Sequence, residues 1–199
     1  MNLPNKITIG RIVLSIILIV MLLIPWFELG VVFPTYIVGN TTISLKYIIA
    51  GILFLIGSVT DFLDGYIARK NNEVTDFGKV MDAIADKLLV NGLIIILAYE
   101  RMIPVLIPVV IISRDIVVDS CKMISGNNGK VVAASILGKL KTICMMIGLT
   151  LTCFGNLPFE LINIPVSSIF LLAAVILSVI SGVQYFSNVS SIIFPKKTK

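Results

Sequence analysis

The sequence predicts an all-α polytopic membrane protein with six transmembrane helices, and three observations carry that prediction. Of 199 residues, 57% are hydrophobic and only 14% charged, where a soluble domain carries about 25% charged residues. Mean hydropathy is +1.05. Six stretches each supply the ~20 mostly apolar residues that cross a bilayer, which leaves no room for a separate soluble domain. The whole of 1–199 is therefore expected to form one integral-membrane domain.

Met1 to Thr8, with Pro4 and Lys6, read as a short N-terminal amphipathic segment on the membrane surface. The first span follows over about Ile9 to Trp26, with Arg11 one turn inside it and Trp26 and Phe27 suited to the far interface. Glu28 to Ser44 is a polar linker. The second span covers Tyr47 to Arg69, a polar loop runs from Lys70 to Phe77, and the third span covers Gly78 to Tyr99. Glu100, Arg101 and Pro104 mark a tight turn before the fourth span, Ile103 to Met123, which carries Arg114, Asp115 and Asp119. A Gly- and Asn-rich loop, Ser125 to Lys130, precedes a fifth span that ends near Phe154. Pro158, Glu160 and Pro165 mark the loop before the last span, Val166 to Phe186.

Charge sets the orientation. Lys6, Arg11, Arg69, Lys70, Lys79, Lys122, Lys130, Lys139, Lys141 and the C-terminal Lys196, Lys197 and Lys199 fall at one set of helix ends, and only Lys46 and Arg101 at the other. The positive-inside rule then puts both termini in the cytoplasm of a cell-membrane protein. The net charge of +5 is topological. There is no basic run with interleaved aromatics of the kind that binds nucleic acid. Met1 to Phe27 lacks the short apolar core and small-residue cleavage site of a secretory signal. Cys121, Cys144 and Cys153 form no CxxC and are odd in number, so neither a zinc site nor a disulfide framework is indicated.

Four carboxylates interrupt this apolar pattern. Asp61 and Asp64 share one face near the end of the second span, and Asp82 and Asp86 share one face near the start of the third. Asp61 lies eight residues from Arg69, and Asp86 eight from Gly78, about 12 Å each at the helical rise. An antiparallel hairpin therefore brings the pairs to similar depth. Gly65 and Gly78 lie four residues from Asp61 and Asp82, where a ligand can approach the backbone. Ionised groups at membrane depth cost roughly 2.5–3.5 kcal/mol each, and oxygen-ligated Mg²⁺ or Mn²⁺ is the natural compensating partner. Two such cations neutralise four aspartates and keep positions for phosphate oxygens. Arg69, Arg114, Lys139 and Lys141 suit a further phosphate. With no histidine in the chain, a general base has to come from a group such as aspartate. An ion or proton transporter would spread its acidic groups through the membrane, whereas here they gather at one face; a scaffold needs no such cluster.

Asp61-x-x-Asp64-Gly65-x-x-Ala68-Arg69, eight residues, then Gly78-x-x-x-Asp82-x-x-x-Asp86 resembles the signature of the CDP-alcohol phosphotransferases, with all eight positions present. Asn2 to Thr8 with Arg11, and Gly138-Lys139-Leu140-Lys141-Thr142, are similar to its phosphatidylglycerophosphate synthase branch. The resemblance implies an enzyme that transfers a phosphatidyl group from CDP-diacylglycerol to sn-glycerol 3-phosphate, with two divalent cations as cofactors, acting as a homodimer. It implies Asp61, Asp64, Asp82 and Asp86 as metal ligands, Asp86 also as general base, and Asp61, Gly65, Ala68, Arg69 and Gly78 at the nucleotide. Thr8, Arg11, Arg114, Lys139 and Lys141 would hold the acceptor phosphate, a group that rests as much on charge and depth. A sister enzyme acting on inositol phosphate, serine or phosphatidylglycerol is the alternative. For Arg114, an ion pair with Asp115 or Asp119 is the competing role.

Overall fold

A computed structural model describes residues 2–39, 41–71, 75–127 and 135–193, with the side chains of Arg69, Asp76, Asn127 and 191–193 excepted. Lys130, the C-terminal lysines and the Arg69 side chain lie outside the described residues. Six α-helices dominate: α1 (Leu3–Leu23), α2 (Leu45–Lys70), α3 (Asp76–Tyr99), α4 (Leu106–Asn127), α5 (Ile136–Cys153) and α6 (Val166–Ile193). Between α1 and α2 the linker forms an antiparallel hairpin of β1 (Thr35–Val38) and β2 (Thr41–Ser44). Val38 faces Thr41, leaving a two-residue connection in which Gly39 takes φ +61°, the left-handed geometry that short hairpins favour.

The most consequential departure from expectation is at the start. Residues 3–8 are no separate surface segment: α1 is continuous from Leu3, with Pro4 in its first turn, where the missing N–H costs nothing. Its buried stripe runs Pro4, Thr8, Arg11, Ser15, Leu18, Leu22, the i, i+3, i+4 spacing of a single helix face. The polar half of that stripe faces other helices rather than the membrane surface.

The core is built from Leu18 and Leu22 of α1, Phe54 of α2, Leu89, Leu93 and Leu97 of α3, Ile111 of α4, and Leu149 and Cys153 of α5. α1 packs against both α2 and α3, α5 against α6, and α4 against α6. α2 and α3 barely touch each other despite their short connection, so α1 is the wedge between them. At the α5–α6 contact, a Cβ at Gly148 would come within 2.8 Å of the Leu171 side chain and 3.1 Å of its backbone nitrogen, so glycine permits this approach.

Among the described residues, four helices, α1, α2, α5 and α6, are long and apolar enough to cross a membrane. α3 and α4 match them in length but carry clustered charges, among them Asp82, Asp86 and Lys87 on α3 and Arg114, Asp115, Asp119 and Lys122 on α4. Exposed apolar side chains such as Val13, Ile17 and Val20 on α1 and Ile169, Leu172 and Ile176 on α6 form the lipid-facing surface that a water-soluble bundle would not tolerate.

Candidate active site

The charged ends of the helices converge at one end of the bundle. Carboxylate oxygens of Asp61, Asp64 and Asp82 lie within 4.8 Å of one another. Arg11 stands among them, fully buried, and its guanidinium pairs with Asp61, with Asp64 at 2.5 Å and with Asp82 at 2.8 Å. Its Nε is buried with no hydrogen-bond partner among the described residues. The Thr8 hydroxyl donates to Asp64 Oδ2 at 3.1 Å. Two helices that hardly meet thus deliver their carboxylates to one point, because α1 supplies the cation between them. Three carboxylates against one guanidinium leave a formal charge of −2, and the donors are hard oxygens. That set fits a divalent cation of the Mg²⁺ or Mn²⁺ type. Asp86 is outside this trio, one turn along α3, on the wall of a neighbouring cavity.

Two cavities flank the aspartates. The smaller, about 300 Å³, lies between Pro4, Asn5 and Thr8 of α1, Asp64, Gly65 and Ala68 of α2, and the start of α3. There Thr75 caps α3, its hydroxyl accepting from the Gly78 amide at 3.0 Å and lying 3.2 Å from the Asn5 amide nitrogen. A Cβ at Gly78 would meet Asn5 Oδ1 at 2.6 Å, so glycine keeps this corner open. The larger cavity, about 410 Å³, takes Asp61 and Asp86 on one wall and Arg114, Lys139 and Lys141 on the other. Lys79 and Asp82 line both. One compartment is walled largely by small residues and the other by cations interleaved with Asp86, Asp115 and Asp119, and Asp61, Asp64 and Asp82 stand between the two.

Against known proteins, residues 1–180 match the model of the CDP-alcohol phosphatidyltransferase family. The chain belongs to that family. A Bacillus subtilis protein named CDP-diacylglycerol–glycerol-3-phosphate 3-phosphatidyltransferase is 44% identical over 189 residues, 94% of each chain. Relatives of the same name from Mycoplasma genitalium and Rickettsia bellii are 38% and 34% identical, covering 77% and 93% of this chain and 65% and 93% of their own.

In this family member the structure divides the residues singled out in the sequence. Gly65, Ala68 and Gly78 come together in the smaller cavity, while Asp61 faces the larger one. Arg114, Lys139 and Lys141 come together as expected. Thr8 and Arg11 do not line that cavity: Thr8 lines the smaller one and bonds Asp64, and Arg11 stands among the aspartates. Depth along a helix was readable from the sequence, but the direction of a side chain around α1 was not. The sequence reading also passed over Asn5 and Thr75 in the smaller cavity, and Tyr185 in the larger. Tyr185 is buried, with Arg114 and Lys122 each 5.9 Å from its ring centre and its hydroxyl accepting from the Ser135 amide at 3.0 Å. Its signal is the polar tail Ser181-Gly182-Val183-Gln184-Tyr185 on an otherwise apolar helix.

Proposed function

We propose that this chain transfers the phosphatidyl group of CDP-diacylglycerol to sn-glycerol 3-phosphate, releasing CMP and forming phosphatidylglycerophosphate. The observation that carries the reading is the border position of Asp61, Asp64 and Asp82 between a cavity with small-residue walls and one that gathers Arg114, Lys139 and Lys141. A nucleotide in the first and a phosphate-bearing alcohol in the second would meet at the carboxylates. Family membership and the names of the three relatives support the same chemistry.

In this reading Gly65, Ala68 and Gly78 give the cytidine nucleotide room, and the family resemblance assigns Asp61 and Arg69 to the nucleotide as well. Asp61, Asp64 and Asp82 would hold a divalent cation, and Asp86 would contribute to a second. Bound there, Mg²⁺ or Mn²⁺ would neutralise charge on the diphosphate and make its phosphorus more electrophilic. Arg114, Lys139 and Lys141 take the acceptor phosphate through charge-assisted hydrogen bonds, which aims its free hydroxyl at the β-phosphorus. Asp86, on the cavity wall, accepts the hydroxyl proton as the new O–P bond forms. The bond from the β-phosphorus to the oxygen bridging it to CMP breaks, and CMP leaves with that electron pair. Thr8 and Arg11 serve the aspartates rather than the acceptor.

The same reading takes 1–199 as one domain with all six helices across the cell membrane, both termini and the site cytoplasmic, and two copies forming a dimer. The asymmetric placing of Lys and Arg supports the orientation.

The test is CMP release by purified, detergent-solubilised protein given Mg²⁺ or Mn²⁺, CDP-diacylglycerol and one acceptor at a time. Glycerol 3-phosphate should support turnover that chelator abolishes and that Asp86→Asn reduces at least a hundredfold. Turnover only with inositol phosphate, serine or phosphatidylglycerol would overturn the acceptor assignment.

A further inference from the structure

Arg114 and Lys141 line the same cavity but belong to different helices, α4 and α5. One carboxylate joins them. Asp115 Oδ1 accepts from Arg114 Nη1 at 2.9 Å, and the Lys141 ammonium donates to Oδ1 and Oδ2 at 3.0 and 3.1 Å. The rest of the guanidinium is held by α6: Nη2 donates to Ser181 Oγ at 2.7 Å and Nε to the Ser178 carbonyl at 3.3 Å. A Cβ at Gly182 would lie 3.0 Å from Arg114 Cγ, so α6 seats the arginine stem closely as well. Lys141 is buried, at 5% exposure, and a buried ammonium needs a fixed anionic partner. Asp115 is that partner, and it also faces the cavity.

We propose that Asp115 is the positioning residue of the anion cavity: its carboxylate ties Arg114 to Lys141 and holds their donors as one preformed cradle for the acceptor's phosphate. This rests on the acceptor assignment above. Asp115 touches no reacting atom; it acts through the two cations. Two long cationic side chains that are ordered in advance lose less freedom when an anion arrives.

Geometry and bare charge predict opposite signs. Neutralising Asp115 makes the cavity more positive, which by charge alone would tighten anion binding. Loss of the cradle weakens it. Asp115→Asn is therefore expected to raise KM for glycerol 3-phosphate at least tenfold. KM for CDP-diacylglycerol should stay within twofold and kcat within threefold. Asp115→Glu should recover part of the loss. Equilibrium binding of glycerol 3-phosphate without turnover should weaken by the same factor. Glu100→Gln, which removes an ion pair to Lys46 at the opposite end of the bundle, is the control for general loosening and should move neither KM. An unchanged or lowered KM for glycerol 3-phosphate in Asp115→Asn overturns the proposal. So does a rise in both KM values together with a lowered melting temperature. If the wild-type protein turns over only inositol phosphate, the acceptor assignment fails, and the same KM split for inositol phosphate upholds the role of Asp115. Turnover only with a phosphate-free acceptor, or no binding of glycerol 3-phosphate to an inactive wild-type protein, overturns both.

Discussion

The Arg11 guanidinium is buried and forms ion pairs with three carboxylates. Removing the guanidinium leaves the buried Asp64 carboxylate uncompensated, at a cost of about 3 kcal/mol, and the more exposed Asp61 and Asp82 add less because solvent screens them. Arg11→Gln should therefore lower the melting temperature of detergent-solubilised protein in chelator. Added Mg²⁺ or Mn²⁺ should recover more of the loss in the variant than it adds to the wild type, because the cation then replaces a missing charge. Equal melting temperatures for variant and wild type in chelator would count against the pairing. The sequence put Arg11 at the right depth, since counting residues along a helix measures distance from its end. It could not say which neighbours Arg11 meets, because that depends on the angle at which α1 packs.

At the scale of elements, apolar runs and their polar punctuation place α2, α3 and α4 to within a few residues, since turns such as Glu100–Arg101 leave little freedom, whereas α1 begins six residues before the expected span and α6 runs seven residues past it. Spacing points to convergence of Asp61, Asp64, Asp82 and Asp86; the first three meet, and Asp86 stands one turn further along α3 on the cavity wall. The means of convergence was not legible. A hairpin of α2 and α3 in direct contact was the natural expectation, whereas α1 lies between them, and nothing in the two aspartate segments encodes a third helix. The β-hairpin was missed although Gly39 marks a turn, because eight strand residues are a weak signal beside long apolar runs. The α5–α6 contact offers a direct test of helix packing. Gly148→Val places branched carbon against the Leu171 backbone and should destabilise by about 2 kcal/mol, read as a lowered unfolding midpoint in detergent. Gly10→Ala, where no atom lies within 4 Å of the added carbon, should be neutral or slightly stabilising. Equal effects at the two glycines would argue against the close approach.

For the whole molecule, the expected orientation is open to labelling. In a chain with Cys121, Cys144 and Cys153 replaced, a membrane-impermeant maleimide applied to intact cells should label Phe27→Cys and spare Lys6→Cys. Both positions are exposed, at opposite ends of α1, and the reverse pattern would invert the topology. The apolar girdle described above, with both cavities gathered at one end of it, carries a kinetic consequence. A phosphate-bearing acceptor arrives from solution in three dimensions, while a lipid donor has to diffuse laterally within a surface. The effective concentration of that donor is its mole fraction in the membrane or micelle, not its amount per litre. Detergent added at constant total lipid therefore slows the reaction by surface dilution, while the apparent affinity for the water-borne substrate stays where it was.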